Sequence, residues 1–224
     1  MEKKFSYGVI GSTGRLGIEV INVFSEKHHR LVYTRSIEGD KNEENPQILI
    51  DCSLPDAFET NLSLVHEFKV PLIIAVTNLN EQQLEKLQKL SSDVPVVQSY
   101  NFSIGIQILL KLASAAKDII PEWDVEIEEV HHRFKLDKPS GTAKMIKQLF
   151  TEKDVPVSSL RLGNVPGDHT VYFGGLGEVL SIKHSAISRR TFAEGILRSA
   201  EFILKKKNGF YNFTDVIFGT DQPQ

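Results

Sequence analysis

Short apolar runs alternate with longer amphipathic runs along the first hundred residues. Residues 5–10, 31–34, 48–52, 71–76 and 94–98 are apolar stretches of strand length. Between them, residues 15–28, 55–68 and 80–90 repeat apolar positions at helical spacing. Strands alternating with helices predict parallel βαβ units in a doubly wound, Rossmann-like α/β sheet. The segment 36–47 interrupts the alternation. It is polar, rich in Glu and Asn, and has no apolar stripe, so it reads as a loop.

Beyond residue 103 the pattern changes. Residues 104–120 form an amphipathic helical run stopped by Pro121, residues 125–130 alternate as a strand, and residues 143–150 are helical again. Residues 161–162, 169–173 and 178–184 read as strands separated by Gly-rich turns. Consecutive strands with short connections predict an open antiparallel or mixed sheet, hence a second, α+β domain. Residues 192–206 close the chain as a helix, and 209–219 form a short tail. A length of 224 residues accommodates two small cores.

Composition narrows the function classes. Hydrophobic residues make up 41% and charged residues 25%, with a net charge of −3, which gives no general attraction to nucleic acid or to membranes. No apolar run has the roughly 18 residues needed to cross a bilayer. Met1 to Phe5 run straight into a strand-like segment, leaving no room for a signal peptide. The single cysteine, Cys52, excludes an internal disulfide framework. These features predict a cytoplasmic protein. The basic run Lys205-Lys206-Lys207 reads first as a solvated helix end and second as a local anion site.

Two segments carry candidate chemistry. Gly11-Ser12-Thr13-Gly14-Arg15-Leu16-Gly17 follows the first strand and opens the first helix. Glycine permits a tight turn and close backbone approach, and a helix N-terminus offers unpaired N–H groups to a pyrophosphate. The spacing is G-x-x-G-x-x-G, with Thr13 in the usual second glycine slot, so an ordinary strand–helix turn is the alternative. At the end of the second strand, Thr34-Arg35-Ser36 lacks the acid that normally receives a ribose hydroxyl and offers a guanidinium to a 2′-phosphate. That favours NADPH, with NADH as a second cofactor. A solvent-facing Arg35 is the bland reading.

The second segment runs from Glu126 through His131-His132-Arg133-Phe134-Lys135 to Pro139-Ser140-Gly141-Thr142-Ala143. Adjacent strand residues face opposite ways, so His131 and His132 should differ in role, while His131, Arg133 and Lys135 share a face if the strand persists. Histidine moves protons near neutral pH and lysine supplies charge or a proton. Ser140 can cap the next helix, leaving Gly141 and Thr142 to present N–H groups and a hydroxyl to an anion. A polar strand end followed by a plain helix cap is the alternative. No Cys or His elsewhere shows ligand spacing to this pair, so no metal is expected.

The string from His131 to Ala143 resembles the signature of the 4-hydroxy-tetrahydrodipicolinate (dihydrodipicolinate) reductase family. The likeness extends over nearly the whole chain: Gly11 to Gly17, Asn101-Phe102-Ser103-Ile104-Gly105, Arg161 with Gly167-Asp168-His169, Gly177-Glu178, His184, and Ser188 to Ala193. It implies a nucleotide-binding domain at 1–101 completed by 193–224, and a substrate and tetramerisation domain at 102–192. His131 would be the general acid and Lys135 a catalytic cation. His132, Ser140, Gly141, Thr142 and Arg189 would hold the dicarboxylate. The nicotinamide cofactor would lie against the glycine loop, Thr34, Arg35, Ala75, Thr77, Asn101 and Phe102.

The chain departs from that pattern in two places. Ala75-Val76-Thr77-Asn78 stands where the family usually has Gly-Thr-Thr-Gly, and the segment 36–47 is short. The implied activity is reduction of 4-hydroxy-tetrahydrodipicolinate with NAD(P)H on the diaminopimelate route to lysine. A nucleotide-sensing regulator of the same fold and another two-domain reductase are the alternatives.

Overall fold

β1 (Ser6–Ile10) is buried at all five positions, as a parallel strand covered on both faces requires. It lies inside a seven-stranded sheet in the computed structural model, which describes residues 4–219. The chain forms two units: Met1–Phe102 with Arg190–Gln224, and Ser103–Arg189.

In the first unit β1 pairs in parallel with β2 (Arg30–Ser36) on one side and β4 (Leu49–Asp51) on the other. β5 (Leu72–Ile74) and β6 (Val96–Gln98) extend the sheet in parallel beyond β4. The helices α1 (Arg15–Glu26), α2 (Phe58–Phe68) and α3 (Glu81–Leu90) alternate with these strands along the chain. Ile10, Leu49, Ile74 and Val96 form one core with Leu64, Val65 and Leu87. The doubly wound sheet predicted from the apolar runs is present.

Two features differ from the sequence reading. The segment 36–47 is not simply a loop: β3 (Gly39–Asn42) turns back antiparallel on β2, with Ser36 opposite Gly39. All four residues of β3 are exposed, which is why no apolar stripe betrays it. Polar pairs replace burial, with the Tyr33 hydroxyl donating to Asp40 at 2.7 Å and the Arg35 guanidinium donating to the same carboxylate. The tail is also more than a tail. After α6 (Arg190–Ile203), β11 (Phe210–Asn212) joins the sheet beside β6 and leads into α7 (Phe213–Phe218). The final order is β11-β6-β5-β4-β1-β2-β3.

The second unit holds α4 (Ile104–Ile119), β7 (Asp124–His131), α5 (Gly141–Lys147), β8 (Val157–Arg161), β9 (Gly167–Gly174) and β10 (Val179–Ala186). Its sheet runs β10-β9-β7-β8 and is mixed, because only β7 and β8 are parallel. One face buries Ile127, Val171 and Phe173 against Leu109 and Ala113 of α4 and Ala143 and Ile146 of α5. The strand period of two places Glu126, Tyr172, Ser181 and Lys183 on the other face, with the exposed Leu160 and Val179. Among the described residues no helix is long and apolar enough to cross a membrane.

Gly195 lies where α6 meets the end of the first unit's N-terminal portion. A Cβ there would sit 1.8 Å from the carbonyl oxygen of Phe102 and 2.8 Å from the Phe213 ring. Backbone on one side and a fully buried ring on the other leave nothing flexible to yield. Gly195→Ala is therefore expected to lose about 1–3 kcal/mol or more of stability through overpacking, read as a lower urea midpoint. An unchanged midpoint would show that α6 shifts without cost.

Candidate active site

The glycine loop occupies the turn from β1 to α1. Gly11 has φ +77°, and a Cβ there would lie 2.8 Å from the carbonyl oxygen of Cys52, so the loop presses on the chain leaving β4. Gly17 is equally constrained, because its Cβ would fall 2.2 Å from the Gly11 carbonyl oxygen. The amides of Gly11 and Ser12 both donate to the Arg35 carbonyl, and the Ser12 hydroxyl donates there too. Ser12 thus ties the loop to β2, while Thr13, Gly14 and Arg15 are exposed. No side chain caps α1, and its first internal bond runs from the Ile18 amide to Gly14. The amides of Arg15, Leu16 and Gly17 therefore remain outside the helix's own ladder. By contrast α3, α4, α5 and α7 are capped by Asn80, Ser103, Ser140 and Asn212. An open first turn next to a close glycine approach fits a dinucleotide pyrophosphate.

Thr34 and Arg35 lie at the end of β2, as predicted, and the Arg35 guanidinium is engaged by neighbouring groups and not turned to solvent. Its Nε and Nη2 donate to Asp40 at 2.8 and 2.6 Å, and Nη1 donates to the Thr60 carbonyl at 3.3 Å. The guanidinium holds the Asp40 carboxyl below its ordinary value. The carboxylate beside Arg35 comes from β3, a placement the linear sequence does not show.

At the end of β5, the Ala75 amide donates to the Asp51 carbonyl at 2.8 Å, followed by buried Val76, Thr77 and exposed Asn78. Asn78 has φ +60°, the left-handed conformation that glycine adopts freely and that asparagine tolerates best among other residues. The last residue of the segment that departs from Gly-Thr-Thr-Gly thus holds a conformation that glycine would adopt without strain. Asn101 and Phe102 are both buried, with the Asn101 amide held by Ser99 Oγ and the Phe102 ring 5.2 Å from that of Phe213. Asp51, 2% exposed, caps the β4 end through the Ser53 amide and Asn61; burial pushes its carboxyl up.

In the second unit β7 ends at His131, and His132 starts a turn closed by the Lys135 amide donating to the His132 carbonyl. The strand does not persist, so the shared face expected for His131, Arg133 and Lys135 is lost. The chain turns at His132 instead, while the Leu162 amide donates to the His131 carbonyl as the last ladder bond to β8 and the Arg133 amide donates to the Gly163 carbonyl beyond it. Both histidines are buried, at 7% and 8% exposure. His131 Nδ1 bonds to Glu129 Oε2, whose side chain is wholly buried. Glu129 Oε1 accepts from Arg161 at 2.8 Å and from the Ser140 amide at 3.3 Å. Burial alone would raise the Glu129 carboxyl, but the bonds from His131, Arg161 and Ser159 override it and bring it down to about 2. His169 stands edge-on to His131 with ring centroids 5.1 Å apart. Burial, followed by the charge of His131, pushes His169 down to about 3, so it is neutral at physiological pH. A Cβ on Gly167 would sit 3.0 Å from His131 Nε2, so this glycine keeps room at the second ring nitrogen.

Lys135 pairs with Asp137 at 2.7 Å, and both side chains are largely covered. Ser140 is 1% exposed and fully engaged. Its Oγ accepts from the Ala143 amide as the α5 cap and meets His169 Nε2 at 3.3 Å, and its amide is bound to Glu129. Ser140 thus also supports the segment, and Gly141 and buried Thr142 follow it in the first turn of α5. Arg189 lies in the turn between β10 and α6, half-buried. The fold brings together His131, Ser140 and three residues that were not chosen as candidates from the sequence: Glu129, Arg161 and His169.

Glu129, His131 and His169 place one oxygen and two nitrogens within 4.8 Å of one another. The sequence spacing hides this third group, because His169 arrives on another strand. The Arg161 guanidinium already provides the positive charge on that carboxylate, and no metal is assigned to the cluster.

The dihydrodipicolinate reductase N-terminus model matches residues 5–102, and the corresponding C-terminus model matches residues 105–217. A 4-hydroxy-tetrahydrodipicolinate reductase of Thermosipho africanus is 46% identical over 211 residues, covering 94% of this chain and 97% of the relative. That of Bdellovibrio bacteriovorus is 34% identical over 97% of this chain and 98% of its own. Among solved structures, dipicolinate-bound dihydrodipicolinate reductase from Paenisporosarcina sp. TG-14 superposes with a TM-score of 0.73 at 21% identity, over 94% of this chain and 98% of that one. With both family models matched across nearly its full length, the chain belongs to the 4-hydroxy-tetrahydrodipicolinate reductase family.

Proposed function

We propose that this protein reduces 4-hydroxy-tetrahydrodipicolinate to tetrahydrodipicolinate with a pyridine nucleotide, on the diaminopimelate route to lysine. The observation that carries this reading is His131 held by buried Glu129 beside the Ser140–Thr142 segment, in a chain matched by the family from end to end. The uncapped first turn of α1 and the Gly11–Gly17 loop fit the cofactor's pyrophosphate, with Ala75, Thr77, Asn101 and Phe102 toward its nicotinamide end. When bound, the reduced nicotinamide supplies the hydride.

The chain's own residues do the remaining work. Lys135, His132, Gly141, Thr142 and Arg189 hold the two carboxylates and fix the ring for attack. The charge that builds on the conjugated ring as hydride arrives is neutralised by a proton from His131 Nε2. Over the whole reaction, one hydride and one proton enter and one water leaves. Neutral His169 adds no competing charge next to the acid. The regulatory alternative rested on the altered loop at 75–78, and the left-handed backbone at Asn78 weakens it. The open face of the β10-β9-β7-β8 sheet, with exposed Leu160 and Val179, is our choice for a homotetramer contact, and the cytoplasm for its location.

Both NADPH and NADH fit the end of β2. Arg35 can meet a 2′-phosphate only while Asp40 holds it on the other side, and that carboxylate repels the same phosphate. A modest preference follows, smaller than the ten- to hundredfold typical of an unopposed charge-assisted contact worth about 1.5–3 kcal/mol.

Three measurements test these readings. NADPH oxidation with freshly made substrate should be rapid in the wild type, and kcat should fall by about a hundredfold or more in His131→Gln. NADPH affinity, read by calorimetric titration, should stay unchanged in that variant; equal turnover would remove His131 from the mechanism. Thr142→Val should raise the substrate KM by roughly ten- to a hundredfold, the equivalent of one charge-assisted hydrogen bond, and a wild-type KM would place the carboxylate elsewhere. Asp40→Asn should tighten NADPH by about tenfold and leave NADH nearly unchanged, since only the former carries the phosphate. A parallel change for both would mean that Asp40 shapes the hairpin and takes no part in selection.

A further inference from the structure

Glu129 stands two residues before His131 on β7, and strand periodicity turns both side chains to the same, inner face. Its carboxylate has no solvent exposure. Oε2 takes His131 Nδ1, and Oε1 takes Arg161 from β8 and the Ser140 amide from the start of α5. The two oxygens are thus divided between the acid and the scaffold. Resting on the proposed role of His131, we infer that Glu129 is a positioning residue that fixes the Nδ1–H form of the His131 ring and holds the proton to be delivered on Nε2.

The geometry argues for that division of labour. A carboxylate accepts only, so the nitrogen facing it must carry hydrogen in both charge states of the ring. Nε2 is then the nitrogen that gains and loses the proton, and it is the one beside Gly167, where the absence of a Cβ leaves space. The other charged and titratable groups around the ring do not compete for Nδ1. Arg161 is committed to Glu129 and to the Asp137 carbonyl. Lys135 is paired with Asp137. His169 on β9 is neutral and contacts Ser140, and His184 on β10 pairs with Ser103. Arg161 in turn keeps Glu129 ionised, so removing the carboxylate's charge acts on His131 and removing Arg161 acts on Glu129.

The test compares wild type, Glu129→Gln and His131→Gln by NADPH oxidation across pH, with the substrate in excess. Proton delivery from the ring gives the rate an alkaline limb. Loss of the neighbouring anion weakens the protonated form and should move this alkaline limb to lower pH. kcat at neutral pH should fall by about tenfold or more in Glu129→Gln, short of the loss for His131 itself, with the NADPH dissociation constant unchanged. Adding Glu129→Gln to His131→Gln should cost no further kcat, because the carboxylate acts through the ring. A purely structural Glu129 predicts the opposite: an unmoved pH limb and a further loss in the double variant, and either result overturns the inference.

A second readout needs no variant. Nitrogen NMR of the histidine-labelled wild type at alkaline pH should show His131 with hydrogen on Nδ1, and hydrogen on Nε2 would sink the proposal even if the variants misfold. Failure of the wild type to oxidise NADPH with this substrate would instead discard the parent reading, while the ring form still reports on Glu129.

Discussion

One buried carboxylate organises the second unit. Glu129 is an ionised group without solvent, which is tolerable only where every lone pair is met by strong donors. Its donors come from three elements: His131 on the same strand, Arg161 on β8 and the Ser140 amide before α5. Satisfying the charge therefore fixes where β8 runs, where α5 begins and how the His131 ring is turned. Removing one partner of such a pair leaves an uncompensated charge and commonly costs about 3–5 kcal/mol, so site geometry and fold stability are bound to the same contact. The Arg161 guanidinium also donates to the carbonyls of Lys135 and Asp137, which draws the intervening loop against the strand.

The cofactor half obeys a different constraint. Its specificity of shape comes from close backbone approach, since side chains at Gly11 and Gly17 would strike the Cys52 and Gly11 carbonyls. The Arg35 carbonyl takes both the Gly11 and Ser12 amides, so the loop is anchored to the strand that also carries the Arg35 guanidinium and its contact to Asp40. Fixing β2 fixes both.

Much of this was legible in the chain. The apolar runs predicted the parallel strands because burial on both faces leaves continuous hydrophobic stretches, as in β1, β4 and β5. The string from His131 to Ala143 was legible because its parts are adjacent in sequence. β3 was not, since its four exposed residues are held by Tyr33, Arg35 and Asp40 and bury nothing. The end of β7 was not legible, because the turn that stops it is closed by a backbone bond from Lys135 to His132 that no side-chain pattern announces. Glu129 sits among Glu126 and Glu128, where an acid resembles a solvated one. A signal existed nonetheless: Ile127, Glu129 and His131 share the parity of the inner face. A charged residue on that parity implies a partner, though only the fold shows that the partner is Arg161.

The two halves therefore tolerate change differently. A site assembled from backbone amides and carbonyls depends on φ and on the absence of a side chain, so any residue that adopts the required conformation can serve. Asn78 with φ +60° does so where glycine is usual in the family. A site assembled from ionised side chains has no such latitude. Shortening or neutralising Glu129 alters the ring form, the Arg161 anchor and the Ser140 amide together, because a single group meets all three. Departures from the family pattern at 75–78 and at 36–47 fall on the permissive half, whereas the Glu129 cluster lies in the restrictive one.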